Sequence, residues 1–294
     1  MSAKPNRTHH YATPDMAEIV GHQDIVFLVL DALRYDVAEA EMKGRRLPNF
    51  AKLFPDGWER RHSPGSFTFP AHQAFFAGFL PTPSDPEVSA ERMFAADFSG
   101  SETSGGRTYC FDTPDVVSGL AAIGYQTTCI GGVGFFNRRT ALSCVLPDLF
   151  DESHWSEQMG VTGRDSTALQ FALAAEKLAD LRNDQKTFLF INISAIHQPN
   201  WFYKAAESGE STLGSGSDDL TTHAAALRRV DAELSVLVGA IRARPNGALL
   251  IVCSDHGTLY GEDGFEGHRV GHEAVFTVPY AHRVIEGSSI SAGL

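Results

Sequence analysis

The sequence predicts an α/β fold of three layers, α/β/α, in which helices cover both faces of a doubly wound, mostly parallel sheet. The main observation is that short apolar runs alternate along the chain with longer segments of helical period. A second is size: 294 residues, 43% of them hydrophobic and 20% charged, suffice for one large core. No repeat of fixed period is found, so we expect residues 25–294 to form a single domain after an extension over residues 1–24.

Four apolar runs have the length and composition of buried strands. They cover residues 25–30, 125–130, 187–193 and 249–253. Runs this short fall well below the roughly 20 residues that cross a bilayer, so we expect no membrane helix.

Helices are predicted before the last three of these strands. They cover residues 114–123, 166–181 and 217–244. For the first, Thr113 is the expected N-cap, and Gly124 ends the helix. The last ends before Pro245 and carries its apolar residues on one stripe at helical spacing.

The excess of acidic residues restricts which classes of partner the protein can bind. Asp and Glu outnumber Lys and Arg by 36 to 24, which gives a formal net charge of −12. Such a surface disfavours nucleic acid and anionic membranes, so we expect a small-molecule substrate. The first 24 residues contain no apolar core of a secretory signal, which predicts a cytoplasmic protein.

Polar residues that follow the predicted strands are candidates for a site, because ligands bind at the carboxyl ends of strands in such sheets. Asp31 follows the first strand, and Asp255 and His256 follow the last. Carboxylate oxygens and an imidazole nitrogen suit zinc or manganese. Taken singly, an Asp after a strand is more often a turn or cap residue, so the case depends on the three together.

Thr68 is placed at the start of a helix by Pro70, which suits the first helical turn, and that helix should end at Gly78. A hydroxyl at a helix N-terminus lies where backbone N–H groups favour an anion. Thr68 alone is equally compatible with a simple N-cap.

Taken in order, these motifs resemble the alkaline phosphatase and sulfatase superfamily of metal-dependent hydrolases. The resemblance spans nearly the whole chain and is carried by VLDALRYD at 29–36, TFPAH at 68–72 with GFLP at 78–81, and SDHG at 254–257. More closely, the chain resembles a group of bacterial cytosolic sulfatase-like hydrolases, which leaves the substrate open.

The resemblance implies an alkaline-phosphatase-like fold and one divalent metal, zinc or manganese, held by Asp31, Thr68, Asp255 and His256. Thr68 would be the metal-activated nucleophile, and a phosphothreonine intermediate would follow. The implied reaction is hydrolysis or transfer of a phosphate-type ester. A sulfate- or phosphonate-ester hydrolase with the same residues, and an inactive metal- or ligand-binding member, are the alternatives.

Two further segments resemble the threonine-using phosphotransferase branch: SAIHQP at 194–199 and GEDGFEGH at 261–268. They imply that His197 and His268 contact the transferred group or hold a second metal. His272 would lie on the same face as His268 if that segment is helical, which makes it a further candidate ligand.

The chain also departs from the superfamily's patterns. Sulfatases with a modified cysteine have Cys where Thr68 stands and a second Asp where Ala32 stands, so that sulfatase chemistry is not expected. The two-zinc phosphodiesterase branch has an Asp where Ile193 stands, which argues against a complete second zinc site.

Overall fold

The structure, a computed structural model, describes residues 11–78, 94–95, 109–110 and 115–288. Its strands are, in chain order, β1 Asp24–Leu30, β2 Glu59–His62, β3 Phe94–Ala95, β4 Tyr109–Cys110, β5 Tyr125–Ile130, β6 Glu152–His154, β7 Lys186–Ile193, β8 Ala248–Cys253, β9 Leu259–Tyr260, β10 Glu266–Gly267 and β11 Thr277–Ile285.

The α-helices follow the same numbering. They are α1 Met16–Ile19, α2 Tyr35–Lys43, α3 Pro48–Leu53, α4 Thr68–Ala77, α5 Val116–Ala122, α6 Ala141–Cys144, α7 Ser166–Asp180, α8 Trp201–Glu207, α9 Leu220–Ala243 and α10 Glu273–Phe276.

Seven strands form one central sheet in the order β2-β11-β8-β1-β7-β5-β6. The strands β8, β1, β7, β5 and β6 run parallel, whereas β11 and β2 are antiparallel at one edge. This confirms the mostly parallel sheet. The four predicted strands are confirmed as β1, β5, β7 and β8, and their near-complete burial is typical of parallel strands covered on both faces.

The sheet separates two hydrophobic cores, because alternate residues of a strand point to opposite faces. Val26 and Leu28 of β1 belong to one core, together with Phe171 of α7 and Leu234 of α9. The other core contains Val29, with side chains from α4 and α5. Helices therefore cover both faces, and the predicted three-layer α/β/α architecture is confirmed.

The predicted helices are confirmed with small differences at their ends. α4 ends at Gly78, which has φ of 75°, a left-handed conformation that glycine adopts readily. The expected cap of α5, Thr113, lies outside the described residues, and the N-cap is Asp115, whose carboxylate accepts a hydrogen bond from the Ser118 backbone N–H.

The described part of the predicted N-terminal extension packs onto the domain. The Tyr11 hydroxyl donates to the carbonyl of Gly57, and Ile19 is buried. The backbone N–H of Gly21 donates to the hydroxyl of Tyr125 at 2.8 Å. The boundary at residue 25 stays a prediction.

Candidate metal centre

Asp31 and Asp255 meet at one edge of the sheet because the strands before them are parallel neighbours. Val29 of β1 pairs with Cys253 of β8, and each Asp follows two residues later. Between them, the backbone N–H of Ala32 donates to Asp255 Oδ1 at 3.1 Å. Ala32 has φ of 64°, a strained conformation for a residue other than glycine and one that is concentrated at functional sites.

Asp31, Asp255 and His256 form a buried group whose candidate ligand atoms all lie within 4.8 Å of one another. His256 Nε2 lies 3.7 Å from Asp31 Oδ1 and 3.5 Å from Asp255 Oδ2. Neither of these two oxygens accepts a hydrogen bond from any part of the chain that the structure describes. Buried polar atoms without partners are rare, so the arrangement fits a cation held between them.

The orientation of His256 supports this interpretation. Its Nδ1 lies 2.9 Å from the carbonyl oxygen of Gly257, to which it donates a hydrogen bond. That contact fixes the tautomer and leaves the lone pair of Nε2 directed towards the two carboxylates. Metal-binding histidines are commonly held in this way.

The electrostatics of the two carboxyl groups also fit a cation. Burial, reinforced by the neighbouring Asp255, raises the pKa of Asp31. Burial raises the pKa of Asp255 to about 7. Two desolvated carboxylates facing each other repel, and a bound divalent cation removes that repulsion. The donor set of two carboxylates and one imidazole therefore fits zinc or manganese.

Thr68 is the first residue of α4 and reaches this group with its hydroxyl. Thr68 Oγ1 lies 3.4 Å from Asp31 Oδ2 and 3.4 Å from His256 Nε2. The extended backbone of Phe67, with φ of −163°, turns the chain into the helix at this point. The four predicted residues Asp31, Thr68, Asp255 and His256 are thus brought together.

Asn192 also belongs to the site, although sequence reasoning missed it. It lies near the end of the buried strand β7, where its Nδ2 donates to Asp31 Oδ2 at 2.9 Å. Its Oδ1 accepts a hydrogen bond from the backbone N–H of Val133. A lone amide within an apolar strand run was the available signal, since such a residue needs buried partners.

His72 is a second residue that was missed. It follows Thr68 by one helical turn, and its Nδ1 donates to the Thr68 carbonyl oxygen at 2.7 Å. The same nitrogen lies 3.7 Å from Asp255 Oδ2. Burial lowers the pKa of His72 to about 3, so the ring is neutral. The spacing of four from Thr68, on a predicted helix, was the signal in the sequence.

His197 and His268 lie over the same centre. The His268 ring is 4.6 Å from that of His256 and 5.3 Å from that of His197, measured between centroids. Burial and the two neighbouring imidazoles lower the pKa of His268 to about 3. The neutral His268 ring can therefore donate one hydrogen bond at this position.

His272 is not brought to this group. It is the N-cap of α10, where its Nδ1 accepts a hydrogen bond from the Ala274 backbone N–H. Its Nε2 lies 3.2 Å from Asp263 Oδ2. The segment between His268 and His272 is not helical, so the two rings do not share the face that a helix would give them.

The family model described as Sulfatase matches residues 23–282. The chain belongs to the sulfatase family. The resemblance to the alkaline phosphatase and sulfatase superfamily is therefore confirmed, and members of this metal-dependent superfamily are hydrolases or transferases of phosphate and sulfate esters. No curated protein matches the chain.

Several solved structures share the fold of this sulfatase-family chain. The periplasmic domain of phosphoethanolamine transferase EptC from Campylobacter jejuni has a TM-score of 0.60 at 15% identity, over 89% of this chain and 78% of that one. The EptC domain from Escherichia coli, in complex with Zn, has a TM-score of 0.58 at 12% identity, over 91% of this chain and 73% of that one. The lipoteichoic acid synthase LtaP from Listeria monocytogenes has a TM-score of 0.58 at 13% identity, over 93% of this chain and 68% of that one.

These structures correct the predicted location. The two EptC structures are periplasmic domains, and against this finding the expectation of a cytoplasmic protein is wrong. The prediction had relied on the composition of the first 24 residues, which describes the sequence there and not the compartment of the folded domain. Among the described helices, none combines the length and apolarity needed to cross a membrane.

Proposed function

We propose that this sulfatase-family protein hydrolyses or transfers phosphate-type esters with Thr68 as its nucleophile. The observation that carries the proposal is the pair of unpartnered buried oxygens on Asp31 and Asp255, with His256 Nε2 and the Thr68 hydroxyl beside them. The EptC structure from Campylobacter jejuni is named as a phosphoethanolamine transferase, which favours phosphate over sulfate as the transferred group.

In this proposal a divalent cation is held by Asp31, Asp255 and His256, with Thr68 as a further ligand. When bound, it lowers the pKa of the threonine hydroxyl and neutralises charge on the transferred group. Asn192 fixes the Asp31 carboxylate, and the two backbone N–H groups on Asp255 Oδ1 leave its Oδ2 for the cation.

The remaining steps belong to the chain's own groups. The Thr68 hydroxyl releases its proton to solvent, Oγ1 attacks phosphorus to form a P–O bond, and the bond to the leaving alcohol breaks as that oxygen takes a proton from water. The N-terminus of α4, the His197 ring and the neutral His268 ring donate hydrogen bonds to the phosphoryl oxygens. Water or an acceptor alcohol then attacks the phosphothreonine and frees the Thr68 hydroxyl.

The test is Thr68→Ala, assayed with zinc or manganese against aryl phosphate monoesters, diesters and sulfate esters. We expect turnover of a phosphate ester to fall at least about a thousandfold. Thr68→Ser should retain part of the activity, and mass spectrometry of quenched wild-type protein should find one phosphoryl group on the peptide that contains Thr68. Ser66→Ala is the matched control, and wild-type turnover in Thr68→Ala would refute the proposal.

A further inference from the structure

Arg269 lies beside the metal centre, and within the described part of the chain no acidic group neutralises its positive charge. It follows His268 directly, and its backbone N–H donates to the Ser66 carbonyl oxygen at 2.9 Å, which ties it to the loop before Thr68. Its guanidinium lies 4.7 Å from the centroid of the Phe67 ring. Counting only residues that the structure describes, its side chain makes no ion pair and no hydrogen bond.

Two other arginines that lie over aromatic rings are neutralised by glutamates, whereas Arg164, 5.9 Å from the Phe202 ring, donates a hydrogen bond to the Thr212 carbonyl oxygen. Arg139 lies 4.8 Å from the Trp155 ring and also pairs with Glu157. Arg61 lies 5.2 Å from the Tyr280 ring and is likewise paired with a glutamate. In a chain with net charge −12, a guanidinium beside the metal centre that has no acidic partner among the described residues has an anion-binding capacity that Arg61 and Arg139 lack.

The backbone of Arg269 is held in a costly conformation. Its φ of 76° lies in the left-handed region, which residues with a Cβ seldom adopt. The Ser66 contact holds this conformation, and the side chain is thereby stacked on Phe67. Strain of this kind persists mainly where the position of a side chain serves a function.

Solvent exposure increases from Thr68 through His268 to Arg269, which gives the site an inner and an outer part. Thr68 is buried, His268 is partly buried and Arg269 is exposed. Phe67 and Phe135, with ring centroids 6.2 Å apart, form an aromatic wall next to Thr68. A phosphoryl group at Thr68 fills the inner part of the site, so the part of the ester that extends outwards passes Arg269.

We infer that Arg269 binds an anionic group, a carboxylate or a second phosphate, on the leaving portion of the substrate. The site therefore selects esters with a negative charge beyond that of the transferred group. The fork of a guanidinium suits such a group because it donates two parallel hydrogen bonds to carboxylate or phosphate. The inference deepens the proposed function and rests on it for the identity of the transferred group.

Calorimetric binding to the zinc-loaded protein tests this without turnover. The probes are 4-carboxyphenylphosphonate and 1,4-phenylenebisphosphonate, compared with the uncharged isostere 4-carbamoylphenylphosphonate. We expect wild-type protein to bind at least one charged probe about tenfold more tightly than the isostere, Arg269→Gln to lose this preference, and Arg269→Lys to retain part of it. The matched control, Arg139→Gln, should keep the full preference.

Equal affinities of wild-type protein for all three probes would overturn the inference, as would a preference that survives Arg269→Gln. The wild-type comparison decides the question even if the variant fails to fold. A clear preference in a protein that hydrolyses no phosphate ester would leave the role of Arg269 standing and refute the proposed function instead.

Discussion

Replacing Asp255 by asparagine should stabilise the metal-free protein and weaken metal binding. The carboxylate oxygen Oδ1 of Asp255 accepts hydrogen bonds from the backbone N–H groups of Ala32 and His256, and an amide carbonyl can accept both. Its Oδ2 faces His256 Nε2 at 3.5 Å without a partner, and an amide NH₂ there can donate to that nitrogen. Asparagine therefore keeps the structural contacts and removes the buried charge.

The size of the effect follows from the pKa of Asp255. Burial raises it to about 7, against about 3.9 for an exposed aspartate. Below pH 4 the group is protonated in folded and unfolded protein alike. As the pH rises, the unfolded chain releases its proton first, and the folded state loses stability at up to about 1.4 kcal/mol per pH unit. At pH 8 Asp255→Asn should thus gain up to about 4 kcal/mol.

The assay is urea unfolding at pH 8, followed by circular dichroism, in chelator and then in excess zinc. Zinc at a hundred times its dissociation constant should add about 2.7 kcal/mol to the wild-type free energy of unfolding. The variant should gain little, because an amide is a poor ligand for a metal that prefers carboxylate. Asp231→Asn is the control, because Asp231 is a buried aspartate that caps backbone N–H groups of α3, away from the centre.

If the chelated variant is less stable than chelated wild-type protein and both gain equally from zinc, Asp255 serves as a structural cap. The electrostatic argument for the metal centre would then be refuted.

Two further predictions use other histidines. His268→Ala should lower turnover at least about tenfold at constant metal stoichiometry, because His268 faces the centre. His272→Ala should leave turnover near wild type, because the His272 ring contacts Asp263 instead. Loss of a metal equivalent in either variant, measured by elemental analysis, would contradict this. Burial lowers the pKa of His223 to about 3, so between about pH 6.5 and pH 5 the imidazole is protonated in the unfolded chain only, and the free energy of unfolding should fall by about 2 kcal/mol between pH 7 and pH 5. The urea midpoint of His223→Gln should depend less on pH than that of wild-type protein. An identical pH dependence would refute the lowered pKa of His223.

The centre of the fold was predictable because its strands are buried on both faces. β5 was predicted with its observed bounds, and β1, β7 and β8 each begin one residue earlier than expected. The antiparallel edge was not predicted. β2 has the sequence ERRH, with three exposed residues, so no apolar pattern marks it as a strand, and only its pairing with β11 makes it one.

The residues of the site also fall into a group that the sequence predicts and a group that it does not. Asp31, Asp255 and His256 were expected together because each follows a predicted strand of one doubly wound sheet, where ligands bind at the carboxyl ends of the strands. That these two strands are neighbours became known only from the structure. Asn192 and His72 act through contacts that depend on the packing of β7 and α4 against the centre, and a single sequence does not encode those distances locally. The roles of all five residues stay proposals.

The neighbouring positions of β1 and β8 have a consequence for how the protein matures. Ala32 and Asp255, which contact each other, are 223 positions apart in the chain. A nascent or partly translocated chain holds Asp31 long before its partners exist, and closing so long a loop is slow. In the proposed function, the ligand set of Asp31, Asp255 and His256 is complete only after nearly the whole chain has been made. Metal uptake would then report completed folding, and a stalled chain that ends before β8 would lack Asp255 and His256.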